Sequence, residues 1–389
     1  MSANIMLPAW LDHEAATLAG AVPPGNTIAG ALPAFTKALS MTPLERLQRI
    51  QQSGICECGS SGEPIHLAWR QFIRGHGPSV LVIDATFLDI HSLGTVTVLE
   101  KAPWLLAEGL MIAIGIRDSE KIELLLPFGL NGREAGFLNA VDSIRSLAEI
   151  ATPGRKIVVI RNSNPGCWSE GHPSDKTRLV HTPETWCRIA LLFADVTDLN
   201  GSLLTLRQGL NTRGLVELSR SVNLRSQIDK WRGGEETIGL DPILVFDDGL
   251  GGFLPLSKAD LSSDPSSLLS AGIIPSPSSL MVITGDVCIV KQTRRALYRH
   301  WQLSEGEEAP VRSLLARAAR LVTEITIGLG NIGHMAALDD LAVSLTTHGL
   351  AAAWPLVSSL RYFRGQLERH ARNEYCPEGL CLVRNAAPC

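Results

Sequence analysis

The sequence contains no long hydrophobic run and no cluster of basic residues. Its most apolar stretch, Trp104 to Ile116, is too short to cross a bilayer and includes Glu108. Residues 1–25 lack the basic start and apolar centre of a secretory signal. The formal net charge is −4, without a lysine or arginine tract, which argues against a nucleic-acid-binding surface. These absences predict a soluble, cytoplasmic protein.

A dense disulfide framework is also missing. Eight cysteines are spread over 389 residues without the regular spacing of a secreted scaffold, so we expect reduced thiols. Two close pairs are candidates for metal binding, Cys56 with Cys58 and Cys376 with Cys381. The first pair is too tightly spaced for structural zinc, and the two pairs lie at opposite ends of the chain. The spacing favours free or buried thiols, and we expect no metal.

Motifs of common hydrolases are absent. No serine lies in a GxSxG turn, no HExxH pair is present, and the ten histidines are dispersed. Residues 328–333 do match GxGxxG, a phosphate-binding fingerprint of dinucleotide folds. However, they follow a helical pattern over Val311 to Ile327 instead of a strand, and no acid stands about twenty residues further on. We interpret them as a glycine-bearing connection between helices.

The composition that remains is typical of a globular protein, with 45% hydrophobic and 19% charged residues. Residues 1–41 predict a loosely ordered leader. Thr42 to Glu45 is a helix N-cap signal with proline at the first helical position and an acid at the third. A buried helix at 104–114 alternates with short apolar runs, which predicts an α/β fold. The runs expected to form strands are 80–83, 122–126 and 157–160.

A second part of the chain begins near Leu199. Short strand-like runs lead into a helix from Asn223 to Trp231 that stops at Gly233 and Gly234, a pattern similar to a small β-grasp domain. After a strand at 280–283, helical periodicity continues to His370 and predicts a helical bundle. The expected domains are therefore 42–198 (α/β), 199–275 (β-grasp-like) and 276–375 (bundle), with a tail at 376–389.

The most informative segment is 304–312, which reads SEGEEAPVR. It fits without a gap the SCGxCxPCR motif, and here the chain resembles the NADH-binding flavoprotein subunit of respiratory complex I and of NAD-linked hydrogenases and formate dehydrogenases. In that family the motif's cysteines bind a [4Fe-4S] cluster, which needs about four thiolates. The positions of the cluster ligands hold Glu305, Glu308, Val311 and, for the remote fourth ligand, Thr346. The resemblance therefore implies that no such cluster is bound.

Residues 54–69 resemble the family's glycine-rich loop, which wraps the FMN phosphate and lines the NADH site. Its arginines are replaced by Cys56 and Cys58, and a glycine by Glu57. Acidic side chains oppose phosphate binding by a glycine loop. Residues 84–89 and 176–185 resemble further flavin-contacting blocks that have lost most ligand residues. We expect no catalytic residue and only vestigial flavin positions, namely Gly54, Gly59, Gly62, Asp84, Asp89 and Glu184.

Packing blocks resemble the family more closely than ligand blocks do. The segment 99–109, the pair Cys288 and Arg294, and the run 360–364 all agree with it. Residues 376–381 resemble a CPAGVC segment that leads into a ferredoxin-like extension in hydrogenase-type relatives. The resemblance runs from about Thr42 to Cys381. It implies a Rossmann-like flavoprotein-type α/β domain, then a β-grasp (soluble-ligand-binding) domain and a C-terminal helical bundle.

A chain that keeps the core blocks of this family but loses its ligand residues is expected to be a non-catalytic structural or regulatory subunit of a multisubunit oxidoreductase. The implied partners are a thioredoxin-like iron-sulfur subunit or a formate dehydrogenase or hydrogenase catalytic subunit, and no cofactor is expected. An alternative is an FMN-dependent NADH:acceptor oxidoreductase subunit with an altered pocket and no cluster. A stand-alone sensor that binds a small ligand through the β-grasp module is a third hypothesis.

Overall fold

A computed structural model describes residues 33–59, 61–86, 89, 91–127, 142, 156–162, 176–197, 199–233, 241–304, 309–349 and 352–383. These residues divide into two units. The first unit comprises residues 33–205 and 215–220, and the second comprises 206–214 and 221–383. Two of the predicted cluster positions, Glu305 and Glu308, lie outside the described residues.

The first unit begins with helices α1 (Pro33–Leu39), α2 (Pro43–Ser53) and α3 (Ile65–Arg74). The predicted N-cap of α2 is present as a capping box, in which Thr42 and Glu45 bond reciprocally. Residues 33–39, which the composition assigns to a leader, instead form α1, because Ala34 and Ala38 are buried in the first unit's core.

Four parallel strands form the sheet of the first unit, in the order β3-β2-β1-β4. Their bounds are β1 (Val80–Asp84), β2 (Lys121–Pro127), β3 (Lys156–Asn162) and β4 (Arg178–His181). Helices α4 (Gly94–Lys101) and α5 (Pro103–Ile114) connect β1 to β2, as parallel pairing requires a crossover. The three predicted strands and the buried helix are confirmed, whereas β4 carries no clear sequence signal.

Helix α6 (Pro183–Phe193) follows β4 directly and is buried along its whole length. It packs closely against α5, since a Cβ added at Gly109 would lie 2.1 Å from the carbonyl oxygen of Trp186. The Trp186 indole N–H donates to the carbonyl of Val82 in β1 at 3.1 Å. These contacts hold the first turn of α6, whose N-cap is Thr182, next to the end of β4.

Strands β5 (Gly201–Leu206) and β6 (Gly214–Ser219) follow α6 in the chain and are hydrogen-bonded to each other.

The second unit contains α7 (Leu224–Arg232), which Asn223 caps and Gly233 ends with φ 73°, as the sequence predicts. Strand β7 (Ile243–Phe246) pairs antiparallel with β8 (Gly252–Pro255) and with β9 (Ser279–Ile283). Helix α8 (Pro265–Ser270) lies between the last two strands in the chain. The assignment of this region to a β-grasp module stays a prediction.

Five helices complete the second unit, and they share one apolar core. They are α9 (Ile289–Leu303), α10 (Ala309–Thr326), α11 (Ile332–Thr347), α12 (Ala353–Tyr362) and α13 (Arg364–Ala371). Residues 327–331 join α10 to α11, so the GxGxxG match at 328–333 follows a helix, as expected. Among the described helices, none has both the length and the apolar character that a bilayer crossing requires.

Candidate functional site

The segment that resembles the flavin loop folds into a narrow hairpin of the first unit. The N–H of Ile65 donates to the carbonyl of Ile55 at 3.0 Å, and the N–H of Glu57 donates to the carbonyl of Glu63 at 2.7 Å. Cys56 and Pro64 form a β-bridge between the two arms. The hairpin carries the Glu57 side chain, which is only 16% exposed, to the first turn of α6.

The Glu57 carboxylate is surrounded by hydrogen-bond donors at that helix terminus. Its Oε1 accepts the backbone N–H of Thr182 at 3.0 Å, the hydroxyl of Thr182 at 2.9 Å and the hydroxyl of Thr185 at 2.7 Å. Its Oε2 lies 2.5 Å from Nδ1 of His181. Helix N-termini stabilise anions through their unpaired N–H groups and dipole. We call these donors, from His181, Thr182 and Thr185, the anion seat.

The seat holds Glu57 in its ionised form. Burial acts to raise the pKa of this carboxyl group, but the neighbouring His181 and the hydrogen bonds from Thr182 and Thr185 outweigh it and hold the pKa below its ordinary range. The carboxylate is thus a permanent internal anion at neutral pH.

Two tryptophans fix the imidazole of His181. The indole N–H of Trp69 donates to His181 Nε2 at 2.9 Å, and Trp186 lies edge-on with a ring-centroid separation of 5.0 Å. Because an indole can only donate, Nε2 must accept, so the imidazole proton is on Nδ1 and points to Glu57. His181, Thr182 and Thr185 therefore each donate a hydrogen bond to the Glu57 carboxylate.

The three glycines of the predicted flavin loop each have a local structural role in the hairpin. Gly54 ends α2 with φ 66°, and Gly62 turns the hairpin with φ 59°. Gly59 lies against the seat, where an added Cβ would stand 3.2 Å from the Thr182 methyl carbon. The geometry of the hairpin thus accounts for these glycines without a ligand.

The acidic positions of the predicted flavin site are engaged inside the first unit. Asp84 ends β1 and accepts the N–H of Thr86 at 3.0 Å. Burial raises the pKa of Asp84 to about 6, although its hydrogen bonds with Thr86 act to lower it. Asp89 is buried and accepts the N–H of His91 at 2.9 Å. The loop brings Glu57, and not these acids, to the helix terminus.

Glu184 belongs to a buried ionic network behind the seat. Its Oε1 accepts from the Arg188 guanidinium at 2.8 Å and from the N–H of Leu203 at 2.9 Å. Arg188 also bonds to Glu217 at 2.6 Å and to the carbonyl of Leu199 at 3.2 Å. Glu184 therefore joins α6 to β5.

The thiol of Cys58 lies close to this network, and its surroundings disfavour the thiolate form. Burial, reinforced by the nearby Glu184 carboxylate, raises its pKa to about 12. The Arg220 guanidinium donates to the carbonyls of Cys56 and Glu57 at 3.2 and 3.1 Å. This cation therefore stabilises the hairpin backbone.

The remaining described cluster positions lie in the second unit's helices. Val311 is partly buried against the core from α10, and Thr346 in α11 donates its hydroxyl to the carbonyl of Ala342 at 2.7 Å. Arg312, which fits the family motif, stacks over the ring of Trp301 at 5.4 Å. Neither Val311 nor Thr346 offers a thiolate.

A separate group of metal-ligating side chains lies in the second unit. The ligand atoms of Cys288, His370, Cys376 and Cys381 all lie within 4.8 Å of one another, and all four residues are buried. We call them the Cys3His cluster. None of the six described cysteines forms a disulfide. The spacing of the Cys376 and Cys381 pair gives half of this group, and a histidine six residues before Cys376 adds a third member. The fourth, Cys288, lies 82 residues before His370 and carries no local sequence signal.

The thiols of this cluster differ in acidity. Burial opposes ionisation of Cys376, but hydrogen bonds from backbone N–H groups, that of Cys381 foremost, lower its pKa to about 6. Burial and the neighbouring Cys376 raise the pKa of Cys381 to about 11, and burial likewise raises that of Cys288. A cysteine binds metal as a thiolate, and the lowered pKa of Cys376 favours that form.

The chain is similar to known oxidoreductase subunits, although no protein-family profile matches it. It is 21% identical to the F subunit of NADH-quinone oxidoreductase of Streptomyces coelicolor over 399 residues, covering 88% of the chain and 86% of the relative. It is 22% identical to the NADP-reducing hydrogenase subunit HndC of Solidesulfovibrio fructosivorans, covering 90% and 80%. With the corresponding F 2 subunit of Rhizobium meliloti it shares 26% identity, over 42% of the chain and 40% of that relative.

Solved structures of an NAD+-reducing [NiFe]-hydrogenase share the fold. The H2-reduced form gives a TM-score of 0.69 at 16% identity, covering 87% of this chain and 64% of that chain. The air-oxidised form gives 0.70 at 17% identity, covering 94% and 67%. The chain thus spans less than two thirds of the first hydrogenase chain and of the Rhizobium relative. The resemblance predicted from the sequence is confirmed: the chain is a divergent relative of these NADH-quinone oxidoreductase and hydrogenase subunits.

Proposed function

We propose that this divergent relative is a non-catalytic structural or regulatory subunit of a multisubunit oxidoreductase. The observation that carries the proposal is the Glu57 carboxylate in the anion seat at the first turn of α6. A flavin or nucleotide phosphate that used these donors would have to displace a carboxylate that the chain itself supplies.

Displacement would be unfavourable for two electrostatic reasons. A phosphate beside the ionised Glu57 would place two like charges within a few ångströms in a largely buried site. If Glu57 moved away, its carboxylate would exchange four hydrogen bonds for solvent, and the hairpin would lose its side-chain contacts with the N-terminus of α6. The donors that would bind a phosphate instead stabilise the fold.

The loop's own N–H groups are also engaged. Phosphate binding by a glycine loop depends on backbone N–H groups that point to the ligand. In this hairpin the N–H of Glu57 donates to Glu63 and the N–H of Cys58 donates to the Thr185 hydroxyl at 3.0 Å. The local hydrogen bonding therefore supports a closed structural element.

The cluster positions support the same proposal. Val311 and Thr346 lack the thiolates that an iron-sulfur cluster requires, so electrons would have no relay through this region. The relatives named above are subunits of NADH-quinone oxidoreductase and of an NADP-reducing hydrogenase. We infer that the chain joins other oxidoreductase subunits, such as a thioredoxin-like iron-sulfur subunit or a formate dehydrogenase or hydrogenase catalytic subunit. A cytoplasmic location stays a prediction.

Native purification of the full chain with an affinity tag tests this proposal. We expect redox subunits of the stated kinds to co-purify in fixed proportion, because a subunit interface of this type is large and apolar. We also expect no flavin absorbance and no NADH-dependent reduction of ferricyanide by the isolated chain. Bound FMN that NADH reduces would overturn the proposal in favour of the alternative, an FMN-dependent NADH:acceptor oxidoreductase subunit.

A further inference from the structure

We propose that Cys288, His370, Cys376 and Cys381 bind one zinc ion in tetrahedral coordination. This inference is independent of the proposed function. It concerns the second unit alone and involves no residue of the anion seat.

The distances within the Cys3His cluster fit a shared ion. Zinc–sulfur bonds of about 2.3 Å and zinc–nitrogen bonds of about 2.0 Å place two tetrahedral sulfurs about 3.8 Å apart, and sulfur and nitrogen about 3.5 Å apart. The Sγ atoms of Cys288 and Cys381 are 3.7 Å apart, and Sγ of Cys288 is 3.3 Å from Nε2 of His370. A disulfide would need sulfurs about 2.05 Å apart. The side chains are therefore spaced to bind one metal ion together.

The histidine is held in the orientation that a metal requires. Its Nδ1 lies 2.8 Å from the backbone carbonyl of Gln366, so Nδ1 carries the proton and donates it. The lone pair of Nε2 then faces the sulfurs. A backbone carbonyl that fixes the tautomer in this way is the usual outer partner of a metal-bound histidine.

Backbone N–H groups offset the negative charge of three thiolates around a divalent ion. The N–H of Lys291 donates to Cys288 Sγ at 3.4 Å, in the first turn of α9. Cys376 accepts from the N–H groups of Leu380 and Cys381. Gly379, at φ 64°, closes the turn between the two cysteines with its N–H on the carbonyl of Cys376 at 3.1 Å. The turn thus aims both sulfurs inward.

The ligand set identifies the ion and its role. Four protein ligands, all buried, leave no open position for water or substrate, which is typical of structural zinc. A [4Fe-4S] cluster would bind its ligands through four separate irons and hold the sulfurs farther apart. Zinc here would fasten residues 376–381 to the start of α9 and the end of α13.

Metal analysis of the full chain, purified without chelator, tests the proposal. We expect about one zinc ion per chain in the wild type. Cys376→Ser and Cys381→Ser are expected to lose it. Cys187→Ser is the matched control, because Cys187 is also buried but lies in the first unit, where its thiol donates to the carbonyl of Ala102. This control should retain the wild-type zinc content.

A second measurement uses the wild type alone, in case the serine variants do not fold. Exchange with Co²⁺ should give the intense visible bands of tetrahedral cobalt and a sulfur-to-cobalt charge-transfer band. Release of zinc by a chelator should expose three further reactive thiols. A folded wild type that contains neither zinc nor these cobalt bands after exchange would overturn the proposal. So would iron with acid-labile sulfide, or a disulfide within the cluster, or Cys376→Ser and Cys381→Ser variants with full zinc content.

Discussion

The carboxylate of Glu57 and the backbone N–H of Thr182 are 3.0 Å apart, although 125 residues separate them in the chain. The pair joins a hairpin to the N-terminus of a buried helix, so a side chain takes the place that an external anion would occupy. The hydrogen bonds of His181 and Thr185 to the same carboxylate make this a specific site for negative charge.

Replacement of Glu57 by alanine is expected to open the anion seat. The free energy of unfolding should fall by about 2–4 kcal/mol, because buried donors lose their partner. Inorganic phosphate should then raise the melting temperature of Glu57→Ala, since an added anion can occupy the seat. Differential scanning fluorimetry with a phosphate titration, at constant ionic strength, measures this.

The control for this experiment is Glu63→Ala, at an exposed position of the same hairpin. It should respond to phosphate as the wild type does. Equal stabilisation of all three proteins by phosphate would contradict the role given to Glu57.

The stability of the first unit should depend on pH through Glu108. This buried carboxyl group accepts the N–H of Ala34 at 3.1 Å, and burial raises its pKa from an ordinary 4.5 to about 7. The folded state thus binds the proton more tightly than the unfolded state. Between about pH 4.5 and pH 7 the contribution of Glu108 to stability should therefore fall as the pH rises.

Urea unfolding of the wild type and of Glu108→Gln at pH 5 and pH 7 isolates this effect. The amide keeps an acceptor for Ala34 but does not titrate. The variant should gain stability relative to the wild type as the pH rises from 5 to 7. A difference between the two proteins that stays constant with pH would be inconsistent with the raised pKa.

Gly109→Ala should destabilise the first unit by at least about 2 kcal/mol, because the new Cβ would press on the Trp186 carbonyl where α5 crosses α6. Gly365→Ala is the matched control. Gly365 lies in α13 with no atom within 4 Å of an added Cβ, so alanine should leave stability unchanged or raise it by up to about 1 kcal/mol. Chemical denaturation compares both variants with the wild type, and similar unfolding midpoints for the two would refute the close approach.

Arg188→Ala should lower the free energy of unfolding by roughly 3–5 kcal/mol, because it leaves Glu184 buried without its cation. Adding Glu184→Gln to this variant should recover part of the loss, since the uncompensated charge disappears. Arg320→Ala is the control. It removes an exposed ion pair with Glu324, also four residues apart, and should cost at most about 0.5 kcal/mol. A double variant no more stable than Arg188→Ala would argue against an electrostatic cause.

Local features of the fold were predictable because local residues determine them. The capping box of Thr42 and Glu45 depends on three consecutive peptide units. The strand at 80–84 depends on an apolar run, and the end of α7 on a glycine that accepts positive φ. The family resemblance also follows from sequence, since packing blocks and missing cysteines can be compared position by position.

The two sites depend on pairings that no local pattern encodes. Sequence indicated that Glu57 opposes phosphate binding, but only the packing of α6 on the sheet brings its carboxylate to Thr182. Likewise, Cys288 and Cys381 are 93 residues apart and meet through the helical core. Sequence determined the helices and strands and predicted which ligand residues are missing. Tertiary structure decided which side chains meet at the two sites, because burial and hydrogen bonding act between segments that folding alone brings together.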